Sequence, residues 1–246
     1  MPATPAWPPA STPRLFVDQP LAAGQTLTLE DGPANYLGNV MRVRLGDPVR
    51  LFDDRTGEWL ATVAEAGRRR VILTLGERLR PRETVPDLWL LFAPIKKGRI
   101  DWLVEKATEL GVRRLQPVIT QRTIVDRPKL DRLRAHMVEA AEQCDRTALP
   151  ELAEPVALPR LLAGWEAGRA LFFADESGGA PLAAAVHPGP AAILTGPEGG
   201  FTAEEREAIR AVDQAVAVSL GPRILRADTA ALAAIAAWMS LAGDWR

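Results

Sequence analysis

Two glycine-bearing turns near the C-terminus hold the residue types best suited to grip a ligand: Thr195-Gly196-Pro197-Glu198-Gly199-Gly200 and Leu220-Gly221-Pro222-Arg223-Ile224-Leu225-Arg226. Each follows an apolar run, Ala191–Thr195 or Ala215–Leu220, and each precedes a helix start. The first helix opens on Thr202-Ala203-Glu204-Glu205, with capping-box spacing; the second is expected to be capped by Asp228 or Thr229. In an open parallel sheet, ligands bind beyond the carboxyl ends of strands, where glycine lets backbone come close. Main-chain N–H and C=O groups there suit the edge of a flat purine. Val216, Leu220, Ile224 and Leu225 suit its faces. Two purely structural strand-to-helix turns would carry the same glycines, and spacing alone leaves both readings open.

Other chemistries find less support. The single cysteine, Cys144, excludes an intramolecular disulfide, and with only His136 and His187 beside it no metal-ligand cluster is expected. His187 precedes a proline in a loop-like stretch, and His136 reads as a solvated or core-edge histidine, so acyl-transfer chemistry is disfavoured. Neither GxGxxG nor GxxxxGK[ST] occurs, which leaves nucleotide phosphate cradling unsupported. No apolar stretch approaches membrane-spanning length, and the expected compartment is the cytoplasm. The net charge is −1, yet residues 96–134 hold eleven Lys/Arg against five Asp/Glu. From 135 onward, eight basic residues face fifteen acidic ones. That asymmetry suits a basic face opposing an acidic one, or an ordinary set of solvated helix faces.

The elements that must position the two turns follow from rhythm. Residues 1–13, with five prolines, predict a disordered leader lacking the regions of a secretory signal. Residues 14–82 are turn-rich and short-stranded, with β-prone runs at Arg14–Val17, Thr26–Leu29, Val49–Phe52, Trp59–Ala64 and Arg70–Leu75 and one helix from Pro33 to Val43. This predicts a small antiparallel barrel, followed by a linker at 81–86. Residues 87–246 alternate strands (Leu88–Pro94, Arg114–Thr120, Leu171–Ala174, Ala191–Thr195, Ala215–Leu220) with helices, the mark of an α/β fold with a mainly parallel sheet.

The wording of the segments adds more. LTGPEGGFTAEE, SLGPRILRADTA, RIDWLVEKATELGV, EAAEQCDRTALPEL and RVRLGDPVRLFDD resemble, in that family's order, the RsmE family of SPOUT methyltransferases, across nearly the whole chain after Arg14. The resemblance implies an N-terminal PUA-like RNA-binding barrel and a C-terminal SPOUT α/β domain with a trefoil knot. It further implies a homodimer with cofactor sites near its interface. The implied activity is S-adenosylmethionine-dependent methylation of N3 of a uridine in 16S rRNA, within the small ribosomal subunit. Other SPOUT activities, on a ribose 2′-OH or a tRNA guanine, and a non-catalytic RNA-binding assembly factor are the alternatives. Asn35, Gln121-Arg122-Thr123, Cys144 and Asp145 depart from the family's wording, outside the two turns.

Carried onto this chain, the cofactor contacts expected are Leu194, Thr195, Gly196, Glu198, Gly199, Gly200, Leu220, Gly221, Ile224, Leu225, Arg226 and Thr229. Uracil N3 is protonated at neutral pH, so a cation near the carbonyls must stabilise the developing anion, with Arg226 and Arg223 as candidates. Glu198 and Asp228 are candidate proton acceptors, and bulk solvent is another. RNA phosphates are expected to meet Arg14, Arg42 and Arg44 on the barrel, and Lys97, Arg99, Lys106, Arg122 and Arg146 on the second domain.

Overall fold

The structure of the protein, a computed structural model, describes residues 12–67, 69–125 and 127–245. All but the last two residues of the expected leader fall outside the described residues. The chain divides into two compact units, Met1–Thr84 with Glu142–Ala148, and Val85–Ala141 with Leu149–Arg246.

Unit 1 contains β1 (Arg14–Phe16), β2 (Thr26–Glu30), α1 (Asp31–Asn35), a π-helical turn (Tyr36–Val40), β3 (Pro48–Phe52), β4 (Glu58–Ala66) and β5 (Arg70–Arg80). The sheet order is β1-β3-β4-β5-β2. Every pairing is antiparallel except β1 with β3. The expected barrel is therefore an open, curled sheet with β1 and β2 as its ends. Register shifts in the long β4–β5 pair supply its bend. Alternate residues fill the concave side: Leu27 and Leu29, Val49 and Leu51, Ala61 and Val63, and Val71, Leu73 and Leu75. The helix expected from Pro33 to Val43 runs instead from Asp31 to Val40, as one α-helical turn continued by the π-helical turn that contains Gly38. Its second half widens into the π turn, with Leu37 fully buried.

A buried ion cluster binds the returning segment, residues 142–148, to this unit. Glu58, wholly inaccessible, accepts from Arg14 Nε at 2.5 Å and Arg80 Nε at 2.9 Å, while Arg50 pairs with Asp145 at 2.9 Å. Arg14 Nη2 donates to the Arg146 carbonyl at 2.7 Å, and Glu142 accepts the Phe16 N–H at 2.9 Å. Glu83 lies in the stretch read as a linker. It accepts the Thr147 and Ala148 N–H groups at 2.8 and 2.9 Å, so that stretch is hydrogen-bonded structure.

Unit 2 runs β6 (Leu88–Phe92), α2 (Arg99–Glu109), β7 (Arg114–Ile119), α3 (Leu130–Gln143), β8 (Glu151–Leu152), β9 (Val156–Ala157), α4 (Leu158–Ala163), β10 (Ala170–Ala174), β11 (Ala180–Pro181), α5 (Leu182–Ala185), β12 (Ala191–Thr195), α6 (Ala203–Arg210), β13 (Ala215–Ser219) and α7 (Ala227–Leu241). The sheet, parallel throughout, has the order β11-β13-β10-β12-β6-β7-β8, with β9 also on β7. The five strands read from sequence form its centre, and the three two-residue strands extend it. Side chains alternate between two cores. Leu88, Leu90, Phe92, Phe172 and Ile193 join α2, α3, α5 and α7 on one face. Leu91, Leu171, Phe173 and Leu194 join α4 and α6 on the other.

Candidate functional site

Strand order decides how the glycine turns meet. β12 and β13 do not pair with each other, because β10 lies between them and is hydrogen-bonded to both. Three parallel strands thus end side by side, and the loop after β10 stands between the two turns. Together they enclose a cavity of about 490 Å³, lined by Ala174–Gly178, Thr195–Glu198, Gly200, Phe201, Arg206, Val218–Ala227 and Ala230. That size is within the range of small-molecule sites.

Glycine geometry shapes the mouth at two positions. Gly221 has φ +111° and no atom within 4 Å of where a Cβ would stand, so bare backbone faces open space beside the cavity. Gly200 has φ +66°, a left-handed conformation that favours glycine, and its loop approaches the flexible carboxylate end of Glu176, which would have to shift to admit a Cβ.

Ion pairs fix the loops. Asp175, whose side chain is fully buried, accepts from Ser177 N and Oγ at 2.9 and 2.7 Å and from Arg210 Nη2 at 2.6 Å. Arg206 adds pairs to Asp175 and, at 3.0 Å, to Glu176, which anchors the β10 loop to α6. The capping box expected at Thr202 forms: Thr202 and Glu205 exchange bonds of 3.0 and 3.2 Å, and Glu205 also accepts the Gln121 N–H at 2.7 Å. Arg99, at the start of α2, joins the first glycine turn to the start of α7. It clasps Asp228 with two nitrogens and reaches Glu198 at 3.1 Å. Burial alone would raise the Asp228 carboxyl, but Arg99 and the Thr229 N–H outweigh it and hold it below the ordinary carboxylate value. Its bond to Asp228 likewise raises Arg99.

Of the cofactor contacts expected from sequence, nine line the cavity: Thr195, Gly196, Glu198, Gly200, Leu220, Gly221, Ile224, Leu225 and Arg226. Leu194, Gly199 and Thr229 do not, and Val216, expected to cover the purine face, packs instead against the core under α2 and α7, with Val218 lining the cavity. Leu194 is buried in the α4–α6 core, and the Gly199 carbonyl accepts from Arg122 Nη1 at 2.5 Å. Arg226 occupies the N-cap position of α7, so Asp228 lies in the first turn and is not the cap. Sequence reading missed the Ala174–Gly178 wall. Its signal was a third strand-then-glycine pattern, Leu171–Ala174 followed by Asp175-Glu176-Ser177-Gly178-Gly179.

Among the catalytic candidates, Arg223 and Arg226 are exposed at the rim with no ion pair among the described residues, whereas Glu198 is held by Arg99. The RNA candidates divide. Arg14 and Arg146 are 6% and 4% exposed, and burial pushes both guanidinium groups down, so they hold unit 1 together and do not face solvent. Arg14 also lies 3.9 Å from the Phe52 ring centre. Arg99 is committed to the loops, and Lys106 to Glu105 and Glu109 at 2.6 and 2.7 Å. Arg42, Arg44 and Lys97 are exposed, and so is Arg122 beside Gly199.

A family model described as an RNA methyltransferase domain matches residues 81–239, and one described as an RNA methyltransferase PUA domain matches residues 29–76. Fold and site therefore define an RNA methyltransferase built from a PUA unit and an α/β catalytic unit. Ribosomal RNA small subunit methyltransferase E of Synechocystis is 32% identical over 238 residues, 91% of this chain and 76% of its own. The protein of the same name from Rickettsia conorii is 29% identical over 229 residues, 91% and 93% of the two chains. The structure of ribosomal RNA small subunit methyltransferase E from Neisseria gonorrhoeae, bound to S-adenosylmethionine, superposes with a TM-score of 0.84 at 30% identity, covering 96% of this chain and 100% of that one. This chain belongs to the ribosomal RNA small subunit methyltransferase E family.

Proposed function

We propose that the protein methylates N3 of a specific uridine in 16S ribosomal RNA, within the small subunit, using S-adenosylmethionine. The observation that carries this reading is the cavity formed by three strand-end loops, which has bare backbone at Gly221 and aliphatic cover from Val218, Leu220, Ile224 and Leu225. Main-chain groups of Thr195–Glu198 and Leu220–Leu225 would hold an adenine edge there, and the carboxylates of Glu176 and Glu198 suit hydroxyl and cationic groups. S-adenosylmethionine, when bound, supplies an electrophilic methyl group on its sulfonium.

The chain's own residues do the rest. Rigid loops hold the nucleophile in line, the main source of rate in such a transfer. Arg223 and Arg226, at the rim and without an ion pair among the described residues, stabilise negative charge spreading onto the uracil carbonyls as the N3 proton leaves. Asp228 is too weak a base for that proton, because Arg99 keeps its carboxyl ionised at low pH. Glu198, on the cavity wall, or solvent at the open rim takes it.

The reading includes a homodimer in the cytoplasm and a knotted C-terminal thread, as the family resemblance implies. The exposed side chains of Trp102, Ile224, Leu241 and Trp245 supply apolar surface that a second copy would cover. No helix among the described residues is long and apolar enough to cross a membrane.

Incubating the protein with methyl-labelled S-adenosylmethionine and small subunits lacking the modification, then digesting the RNA for nucleoside mass spectrometry, tests the proposal. Labelled 3-methyluridine is expected. Label only in a 2′-O-methyl nucleoside, or none despite bound cofactor, would overturn the uridine assignment.

A further inference from the structure

The first glycine turn is also held from β7. That strand lies two places from β12, with β6 between them, and the three parallel strands end at one edge of the sheet. The chain leaving β7 therefore reaches the turn after β12 across the end of β6. Residues 120–123 are stiffened from within. The Thr120 N–H donates to Thr123 Oγ1 at 2.9 Å, the two hydroxyls lie 2.9 Å apart, and the Thr123 N–H donates to the Thr120 carbonyl at 3.2 Å. From this base two bonds run to the segment that opens α6. The Gln121 N–H donates at 2.7 Å to Glu205 Oε1, while Glu205 Oε2 accepts the Thr202 N–H at 3.0 Å. Arg122 Nη1 donates to the Gly199 carbonyl at 2.5 Å.

The Arg122 bond falls on the peptide group that closes the turn. The Gly200 N–H donates to the Pro197 carbonyl at 2.9 Å, which makes residues 197–200 a closed turn. That N–H and the Gly199 carbonyl belong to one peptide group, so Arg122 grips its other end, and each bond polarises the other. The Arg122 methylenes lie along bare backbone: a Cβ on Gly199 would stand 3.3 Å from Arg122 Cδ and 3.6 Å from its Cβ. Glu198 and Gly200, on either side of Gly199, line the cavity, and the Glu198 carboxylate rests on Arg99 at 3.1 Å. Arg122 itself is not part of the lining.

We propose that Arg122 is a positioning residue for the cofactor: its bond to the Gly199 carbonyl keeps the turn over residues 197–200 in the shape that presents Glu198 and Gly200 to the cavity before any cofactor arrives. The assignment rests on the methyltransferase reading, and it takes Arg122 out of the RNA-phosphate contacts expected from sequence. Without the guanidinium the turn is ordered only on binding, so the loss falls on cofactor affinity and not on the methyl transfer itself.

Arg122→Ala and Arg122→Lys in the full chain test it. Calorimetry without RNA should show S-adenosylmethionine affinity lowered about five-fold in Arg122→Ala, the scale of one solvent-accessible charged hydrogen bond. Arg122→Lys, whose ammonium can donate to the same carbonyl, should recover to within about two-fold of wild type. In methyl-transfer assays on small subunits, KM for the cofactor should rise about five-fold in Arg122→Ala with kcat within about two-fold of wild type. Hydrogen exchange of a peptide spanning residues 196–201, in the protein without ligands, should quicken in Arg122→Ala. The thermal midpoint should stay within about 3 °C. Unchanged cofactor affinity with a raised KM for RNA would make Arg122 a phosphate contact and overturn the assignment. So would a loss of kcat at unchanged KM, a lysine variant no better than the alanine one, or unaltered exchange in residues 196–201. Failure of the wild type to bind S-adenosylmethionine would instead strike the methyltransferase reading, and the exchange measurement would still decide whether Arg122 holds the turn.

Discussion

Arg99→Ala should loosen the catalytic unit by an amount that depends on pH. The Arg99 side chain is 27% exposed and its partner Asp228 only 11%. Breaking such a pair from the cation side strands a carboxylate in poorly solvated surroundings, which costs roughly 3–5 kcal/mol when both groups are fully buried. Two features soften the loss. Asp228 keeps the Thr229 N–H at 3.0 Å and its place in the first turn of α7, together worth about 1 kcal/mol. Partial exposure of Arg99 screens the pair further, so about 2 kcal/mol of unfolding free energy at neutral pH is the expected cost.

In the wild type the Asp228 carboxyl lies below its ordinary value, so its stabilising share is complete above about pH 4 and fades only in stronger acid. Without Arg99, burial becomes the dominant influence and pushes the carboxyl up. The penalty is then full at neutral pH and is relieved as the group takes a proton. The stability gap between the two proteins should therefore close as pH falls toward about 4. Urea unfolding followed by tryptophan fluorescence at several pH values measures it. Because Arg99 also ties Glu198 to Asp228, S-adenosylmethionine affinity should drop by about ten-fold, equivalent to roughly 1.4 kcal/mol. A gap under about 0.5 kcal/mol at pH 7, or one that does not change with pH, would refute the assignment of a strained, cation-dependent carboxylate.

Two further substitutions probe the remaining design. Gly221→Val places a β-branched residue at φ +111° with its side chain at the cavity, and calorimetry should show S-adenosylmethionine affinity reduced at least about ten-fold through backbone strain alone. Glu58→Gln removes the anion that Arg14 and Arg80 share in the core of the PUA unit, leaving Arg14 the half-exposed Asp145 at 3.5 Å, and should cost about 3 kcal/mol in denaturant unfolding, while leaving cofactor affinity unaltered.

The residues alone determined a good deal. Period-two alternation and continuous apolar runs located the five strands of the PUA unit and the five central strands of the catalytic unit, because a strand buried on one or both faces must show that pattern. Thr202 through Glu205 announced a helix start, since the capping box is a local arrangement that needs no distant partner. The wording of the late turns identified the family. Strand order was beyond local pattern: nothing in Leu171–Ala174 says that it lies between Ala191–Thr195 and Ala215–Ser219, and that placement makes the Asp175–Gly178 loop a cavity wall. Charge fate was equally hidden. Arg14 and Arg146 read as solvent-facing cations like Arg42, and only long-range packing buries them around Glu58, Glu83 and Phe52. A guanidinium carries the same charge wherever it stands in the chain. Whether it meets a carboxylate, a ring or water is decided by which distant segment folds over it.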